Sequence, residues 1–165
     1  MMSFGEAISV CLKQKYATFS GRASRSEYWW FYLFSVLVNV ATAVIDAVLG
    51  TNIVLGFDKN GNPEVIGIVA SVVALGLLVP SFAVLWRRLH DRDISGWYFG
   101  AIFLLCVLGI MFADGIRILA MLFLFVAVGL IIYIFISTIL KGSDGPNKYG
   151  DDPLNPRAGG NIFVP

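Results

Sequence analysis

The chain reads YWWFYLFSVLVNVATAVIDAVL from residue 28 to residue 49, a run of 22 residues in which Asp46 is the one charged side chain. A helix rises about 1.5 Å per residue, so this run covers about 33 Å and can cross the roughly 30 Å hydrocarbon core of a bilayer. It is also longer than the apolar region of a cleavable signal peptide, which has about 7–15 residues. The run therefore predicts a transmembrane helix that is retained.

Three more apolar runs occupy residues 65–86, 97–113 and 118–140. Each is long enough, or nearly long enough, to cross a bilayer as a helix. Only residues 114–117 separate the last two runs, so those two helices should be antiparallel neighbours joined by a tight turn.

The composition supports the same fold. The 165 residues are 58% apolar and 14% charged, with a mean hydropathy of +0.79, whereas a soluble domain carries roughly a quarter charged residues. The sequence predicts an all-α polytopic membrane protein with four transmembrane helices in a single domain, residues 1–156. Gly and Pro are frequent beyond Lys141, so residues 157–165 are predicted to be a flexible C-terminal tail.

Lys and Arg are distributed unequally between the two sides of the predicted membrane domain. Cytoplasmic loops carry the excess of these residues, and Lys59 and Arg117 alone fall on the other side. The asymmetry predicts a multi-pass protein with both termini in the cytoplasm. The ten residues on the cytoplasmic side are Lys13, Lys15, Arg22, Arg25, Arg87, Arg88, Arg92, Lys141, Lys148 and Arg157.

A short amphipathic helix is predicted ahead of the first span. Ser3 and Glu6 have the spacing of a capping box, and apolar residues recur after them at helical intervals. This pattern favours a helix that lies in the membrane interface. The alternative is a soluble amphipathic helix that packs on the cytoplasmic loops.

Three polar segments lie between or beside the spans: GRASRSEYWWF at 21–31, RRLHDRDISGW at 87–97 and GPNKYGDDP at 145–153. Their occurrence in this order, together with the four spans, resembles the DUF805 family, a group of small bacterial inner-membrane proteins of unknown function. The resemblance extends from about residue 4 to residue 156. It implies a four-helix fold in the inner (plasma) membrane, and it assigns no reaction, substrate or catalytic residue to this chain.

The polar segments are predicted to meet on the cytoplasmic side, where two interpretations stay open. They form either a mutually neutralised structural cluster or a binding site for an anionic lipid headgroup, a soluble anion or a protein partner. Planar guanidinium groups suit phosphate and carboxylate. If Glu27 and Asp91 are internal partners, reversing the charge of Arg88 should be partly offset by reversing one of them. The candidate binding residues are Arg22, Arg25, Glu27, Arg87, Arg88, His90, Asp91 and Lys148.

A transporter of a small solute or ion is the alternative function. Ser35, Asn39, Thr42 and Asp46 follow spacings of four, three and four, which places them on one face of the first span. Polar groups that face acyl chains lack hydrogen-bond partners, so this stripe is expected to face other helices. The same stripe also suits helix packing without transport.

A membrane enzyme is the third function considered, with His90 as acid or base and Asp91 or Glu27 orienting it. No nucleophile motif accompanies His90, and its spacing to other ligand types predicts no metal site and no cofactor. A weaker alternative is a divalent cation held by aspartates. A net charge of +1 argues against nucleic acid as a partner. The expected partners are membrane lipids and a protein partner or a second copy. The aspartates of that alternative are Asp91, Asp93, Asp151 and Asp152.

Overall fold

The computed structural model describes residues 1–113 and 115–155, so the predicted tail at 157–165 lies outside the described residues. The structure consists of helices and one antiparallel hairpin of two strands. The elements are α1 (Phe4–Ser9), a π-helical turn (Val10–Gln14), α2 (Arg25–Leu49), β1 (Asn52–Phe57), β2 (Pro63–Gly67), α3 (Ile68–His90), α4 (Tyr98–Met111) and α5 (Arg117–Ile139).

Within the described residues, α2, α3 and α5 are long and apolar enough to cross a membrane. Their surfaces are mostly apolar and exposed, as expected of helices in contact with lipid. The run at 97–113 forms the shorter apolar helix α4, whose 14 residues rise only about 21 Å. The fold is therefore mostly helical and built for a membrane.

The second apolar run is not helical over its whole length. Residues 63–67 form strand β2, and α3 begins at Ile68 and continues to His90, beyond the predicted end at residue 86. Hydropathy does not distinguish a short apolar strand from the start of a buried helix. The β-branched residues Val65 and Ile66 favour a strand, and Gly61, with its positive φ, forms the turn that precedes it. The hairpin was not predicted.

By internal contacts the chain divides into two compact units. The first unit comprises Met1–Thr18 and Ser26–Val84, and the second comprises Phe19–Arg25 and the chain from Leu85 onward.

In the first unit the predicted capping box is confirmed. The Ser3 N–H donates to Glu6 Oε2 at 2.7 Å, and the Glu6 N–H donates to Ser3 Oγ at 3.4 Å. The Ser3 N–H also keeps the pKa of Glu6 below its usual value. Phe4 packs edge-on against Trp30, and the Tyr16 hydroxyl donates to the Gly76 carbonyl at 2.5 Å, so the N-terminal segment packs on α2 and α3. Its location in the membrane interface stays a prediction.

In the second unit α4 and α5 pack as antiparallel neighbours, as predicted. The start of α4 meets the end of α5 through Tyr98 and Tyr133, and the residue after α4 meets the start of α5 through Phe112 and Phe123. Gly109 allows the close approach, because a Cβ there would press against the Leu124 side chain. A small apolar cluster completes this unit where α3, α4 and α5 meet; its buried members are Leu89, Ile94 and Ile134.

Candidate functional site

Asp91 directly follows α3 and is the centre of a buried polar cluster in the second unit. Asp91 is 3% exposed. Arg22 Nε donates to Oδ1 at 2.9 Å, and Arg88 Nη1 donates to Oδ2. Two guanidinium groups therefore share one carboxylate, and Arg22, Arg88 and Asp91 are called the arginine–aspartate core below.

Arg22 uses its remaining nitrogens to hold the segment that follows α5. Its Nη1 donates to the Gly145 carbonyl and its Nη2 to the Ser143 carbonyl, both at 2.6 Å. The Ser143 N–H in turn donates to the Asp91 carbonyl at 2.8 Å. These bonds fix the first polar segment to the third.

Arg88 serves the C-terminal end of α5, where the last carbonyls of a helix lack partners within the helix. Its Nε donates to the Thr138 carbonyl at 3.1 Å, and its Nη2 donates to the Leu140 carbonyl. A cation at this end also interacts favourably with the helix dipole. Arg88 is thus both the ion-pair partner of Asp91 and a C-cap for α5.

The core is satisfied as well as buried. The side chains of Arg22 and Arg88 are 1% and 0% exposed, and every nitrogen of both guanidinium groups donates a hydrogen bond. A buried ion pair is tolerated when its remaining donors find acceptors, and it becomes costly when one partner is removed. The geometry therefore commits Arg22 and Arg88 to internal contacts.

His90 lies beside this core with its ring stacked on Tyr149, at 3.7 Å between centroids and 4° between planes. Its Nδ1 is 3.1 Å from the Gly21 carbonyl oxygen, which only accepts, so Nδ1 must carry the hydrogen. The Asn147 side-chain amide donates to the His90 carbonyl at 2.9 Å. The partner of the His90 imidazole is therefore a backbone carbonyl, and both oxygens of Asp91 are engaged by arginines.

Other cations of the cluster are exposed. Lys148 lies 3.4 Å from Asp93, and Lys141 lies 2.6 Å from Asp144, with all four side chains at least half exposed. Arg25 is exposed and its side chain makes no hydrogen bond or ion pair with the described residues. Pairs of this kind contribute only about 0–1 kcal/mol each and exchange readily with solvent or a ligand.

A small cleft of about 20 Å³ opens beside Arg88 and Asp91 of the arginine–aspartate core. Asp152 closes one part of its wall: its Oδ1 accepts the Leu154 N–H at 2.9 Å and its Oδ2 the Gly145 N–H at 3.3 Å. These bonds, led by that from Leu154, hold the pKa of Asp152 below its usual value. The lining residues are Ser24, Arg25, Arg88, Asp91, Lys141, Gly142, Ser143, Asp144, Asp152 and Leu154.

Two further predicted site residues, Arg87 and Glu27, do not line this cleft. Arg87 is fully buried in the second unit, and its carbonyl accepts the Ala23 N–H at 3.0 Å. Glu27 is buried in the first turn of α2, in the first unit. Within residues 1–113 and 115–155, no group of three or more His, Cys, Asp or Glu side chains is arranged to hold a metal ion.

The polar stripe of the first span mostly hydrogen-bonds within its own helix. Ser35 donates to the Phe31 carbonyl at 2.9 Å, and Asn39 donates to the Ser35 carbonyl at 2.7 Å. Thr42 likewise bonds back to the preceding turn. Thr42 is buried but Asn39 is exposed, so the expectation that the whole stripe faces other helices fails at Asn39.

Asp46 has a different role, because it caps α3. Its carboxylate accepts the Val69 N–H at 3.0 Å and the Ala70 N–H at 2.7 Å, and it also accepts the Thr51 hydroxyl. These amides belong to the first turn of α3, where backbone N–H groups have no acceptor within the helix. Gly67 leaves room for the carboxylate, since a Cβ there would overlap it. Capping explains a buried acid in an apolar helix.

Sequence reasoning identified the segment at 145–153 but missed the contacts made by Lys141, Ser143 and Tyr149. Turn segments have no periodicity from which a side-chain direction can be read, and the dipeptide Ser143–Asp144 carries no motif. The only signal was the accumulation of polar and turn residues after α5.

Apolar helices long enough to cross a bilayer, together with a buried ionic cluster beside their ends, define an integral α-helical membrane protein. The chain belongs to the family described as "Protein of unknown function (DUF805)", which matches residues 16–151. The resemblance seen in the three polar segments is thereby confirmed.

The chain is similar to the inner membrane protein YhaH of Escherichia coli strain K12, with 29% identity over 140 residues that cover 85% of this chain and 90% of the relative. It is also similar to the inner membrane protein YhaI of the same strain, with 30% identity over 141 residues that cover 85% of this chain and 89% of the relative. No solved structure matches the chain. The protein is an integral protein of the bacterial inner membrane.

Proposed function

We propose that the protein crosses the inner membrane four times with both termini in the cytoplasm. The ten-to-two distribution of Lys and Arg supports this topology. The helix α4 would be the third span in chain order, and its length of about 21 Å would require local thinning of the bilayer or a re-entrant path for the α4–α5 turn. Reporter fusions at Asn60 and at the C-terminus test the orientation, and a periplasmic C-terminus would exclude it.

The polar cluster is proposed to bind an anionic lipid headgroup on the cytoplasmic surface. One observation carries this proposal: three cations, Arg25, Arg88 and Lys141, line one cleft, and Arg22 pairs with Asp91 of the same cleft. These four cations exceed the three acids of the cleft, Asp91, Asp144 and Asp152, by one charge. A basic residue near the anionic inner leaflet contributes about 1 kcal/mol of attraction.

The contacts give different roles to the buried and the exposed cations of the cluster. Arg22 and Arg88 are saturated by internal acceptors, so they shape the cleft and do not reach a ligand. Arg25 and Lys141 are exposed at its rim and would contact the phosphate. Lys141 is paired only with exposed Asp144, a contact that a lipid phosphate can replace at little cost.

The experiment compares two variants of equal charge. Arg25→Gln removes a cation of the cleft, and Lys148→Gln removes an exposed cation that does not line it. Native mass spectrometry of the full chain, purified in mild detergent, measures retained phosphatidylglycerol and phosphatidylethanolamine. We expect Arg25→Gln to lower the retained phosphatidylglycerol and Lys148→Gln to leave it unchanged. Equal retention in both variants, or a protein as the retained species, would reject headgroup binding at this cleft.

The geometry does not favour the transport or enzyme alternatives. Ser35, Asn39 and Thr42 bond to their own helix, and Asp46 is occupied by the first turn of α3. His90 is held by a carbonyl and an aromatic ring. Each of these contacts is accounted for by structure alone.

A further inference from the structure

The hairpin between α2 and α3 exposes apolar side chains on both of its faces. The pairs Val54–Val65 and Ile53–Ile66 are adjacent cross-strand partners, and successive residues of a strand point to opposite faces. Glu64 is the one charged residue in the two strands. The exposed fractions are 50% for Ile53, 51% for Val54, 69% for Leu55, 71% for Phe57, 54% for Val65 and 43% for Ile66.

Such a hairpin is not expected to be stable when it is surrounded by water. An isolated two-stranded sheet is marginally stable, and a solvated hairpin normally keeps one face polar. Here neither face is polar near the base. The apolar side chains of the hairpin therefore need an apolar surrounding. The position of the hairpin in the chain indicates what that surrounding is.

The hairpin continues the lipid-facing surface of the helices. Its base is tied to their ends, because the Thr51 N–H donates to the Asp46 carbonyl and the Ile68 N–H donates to the Thr51 carbonyl, both at 3.1 Å. The residues on either side, Leu49 and Ile68, are themselves exposed and apolar. The same apolar environment that covers the helix ends thus reaches the strands.

Helix length sets the depth. Trp30, a residue type enriched at membrane interfaces, and Leu49 are separated by about 29 Å along α2, close to the roughly 30 Å of a hydrocarbon core. Strand β1 therefore begins where the opposite interface begins. The free edges of the strands cannot lie in hydrocarbon, because their N–H and C=O groups need water or headgroups there.

The tip of the hairpin is polar and internally bonded. Asp58 Oδ1 accepts the N–H groups of Asn60 and Asn62 at 2.7 and 2.9 Å, and Oδ2 accepts the Asn62 side-chain amide at 2.9 Å. These bonds, led by those from Asn62, hold the pKa of Asp58 below its usual value. Apolar strands with a charged tip suit a boundary between lipid and water.

We infer that this hairpin lies in the lipid interface at the C-terminal end of α2, with its strand side chains in the upper acyl and glycerol region and its tip in water. The occupant of its apolar surface is the lipid leaflet. This inference depends on the membrane location of the protein and not on the headgroup site.

The test uses full-length protein in which Cys11 and Cys106 are replaced by Ala, with one new cysteine labelled by the fluorophore NBD. Reporters are Leu55→Cys and Val65→Cys on the two strands, and Asn60→Cys at the tip is the matched control. The protein is reconstituted in vesicles of phosphatidylethanolamine and phosphatidylglycerol, with or without nitroxide labels on the upper acyl chain. Far-UV circular dichroism checks that each variant is folded.

We expect the nitroxide lipids to quench NBD at 55 and 65 several-fold more than at 60, and iodide in water to quench position 60 more. Strong iodide quenching at 55 and 65 would show a hairpin in water and overturn the inference. Weak quenching by both reagents, with disulfide-linked dimers of unlabelled Leu55→Cys protein, would show that a second copy covers the strands and would overturn it as well.

Discussion

Gly142 lies directly against the carboxylate of Asp91, in the place where any other residue would carry a Cβ that overlaps the Asp91 oxygens. The contact is possible because Asp91 is drawn to this position by Arg22 and Arg88. A glycine outside the helices and an acid after α3 are therefore parts of one buried ionic arrangement.

Gly142→Ala should destabilise the protein. The added methyl group must displace the Asp91 carboxylate from two arginines, and overpacking of this kind costs about 1–3 kcal/mol. Thermal unfolding in detergent, followed by size-exclusion chromatography, measures the effect. Gly129→Ala is the control, since a Cβ at residue 129 meets nothing within 4 Å. Equal melting temperatures for the two variants would contradict the contact.

Asp91→Asn should be more severe. It leaves two buried guanidinium groups without a counter-charge, and breaking a buried ion pair from one side costs about 3–5 kcal/mol. The control is Asp93→Asn, whose exposed pair with Lys148 contributes little. The measurement is the yield of monodisperse protein after membrane extraction and heating. Asp91→Asn with the yield of the parent would show that the core is not a stability element.

The membrane helices could be predicted from the sequence because hydropathy and length decide them. The runs at 28–49 and 118–140 correspond within a few residues to α2 and α5. The hairpin could not, because the apolar residues Val65 and Ile66 satisfy a helical span and a strand equally well. The turn at residues 58–62 is closed locally, by Asp58 on Asn62, whereas the capping of α3 joins Asp46 to Val69, 23 residues further along the chain.

The cluster was predicted as a set of residues but not as a set of roles. Charge asymmetry and turn composition brought Arg22, Arg88, Asp91 and Lys148 to the same side. Which cation is buried depends on backbone carbonyls such as that of Leu140, and the position of a backbone carbonyl cannot be read from the sequence.

Asp46→Ala should lower stability by about 1–2 kcal/mol, the usual effect of losing a helix N-cap. Asp46→Asn should be milder, because an amide oxygen still accepts the Ala70 N–H. The control is Asn39→Ala on the exposed part of the stripe. Thermal unfolding of the three variants gives the order. An Asn39→Ala variant as unstable as Asp46→Ala would favour a role for the whole stripe.

The charge of Asp152 should stabilise the segment after α5 in a pH-dependent way. Its pKa is depressed in the folded protein, so its contribution is present above the unfolded pKa, near 3.8, and is lost as the pH falls through the lower folded pKa. Asp152→Asn should therefore lower the melting temperature slightly at pH 7, and by less at pH 2. Asp151→Asn is the neighbouring control, and a difference as large at pH 2 as at pH 7 would contradict the assignment.

The double reversal of Arg88→Asp with Asp91→Arg should not restore stability, although the sequence alone suggested partial rescue. The attraction between residues 88 and 91 survives the exchange. However, Arg88 also donates to the carbonyls of Thr138 and Leu140, and a carboxylate at residue 88 only accepts, so it would face two carbonyl oxygens. The reversed residue 91 would in addition repel Arg22. The double variant should thus unfold at least as early as Asp91→Asn, measured by the same extraction and heating assay. A double variant close to the parent in stability would mean that the ion pair, and not the capping of α5, is what Arg88 contributes.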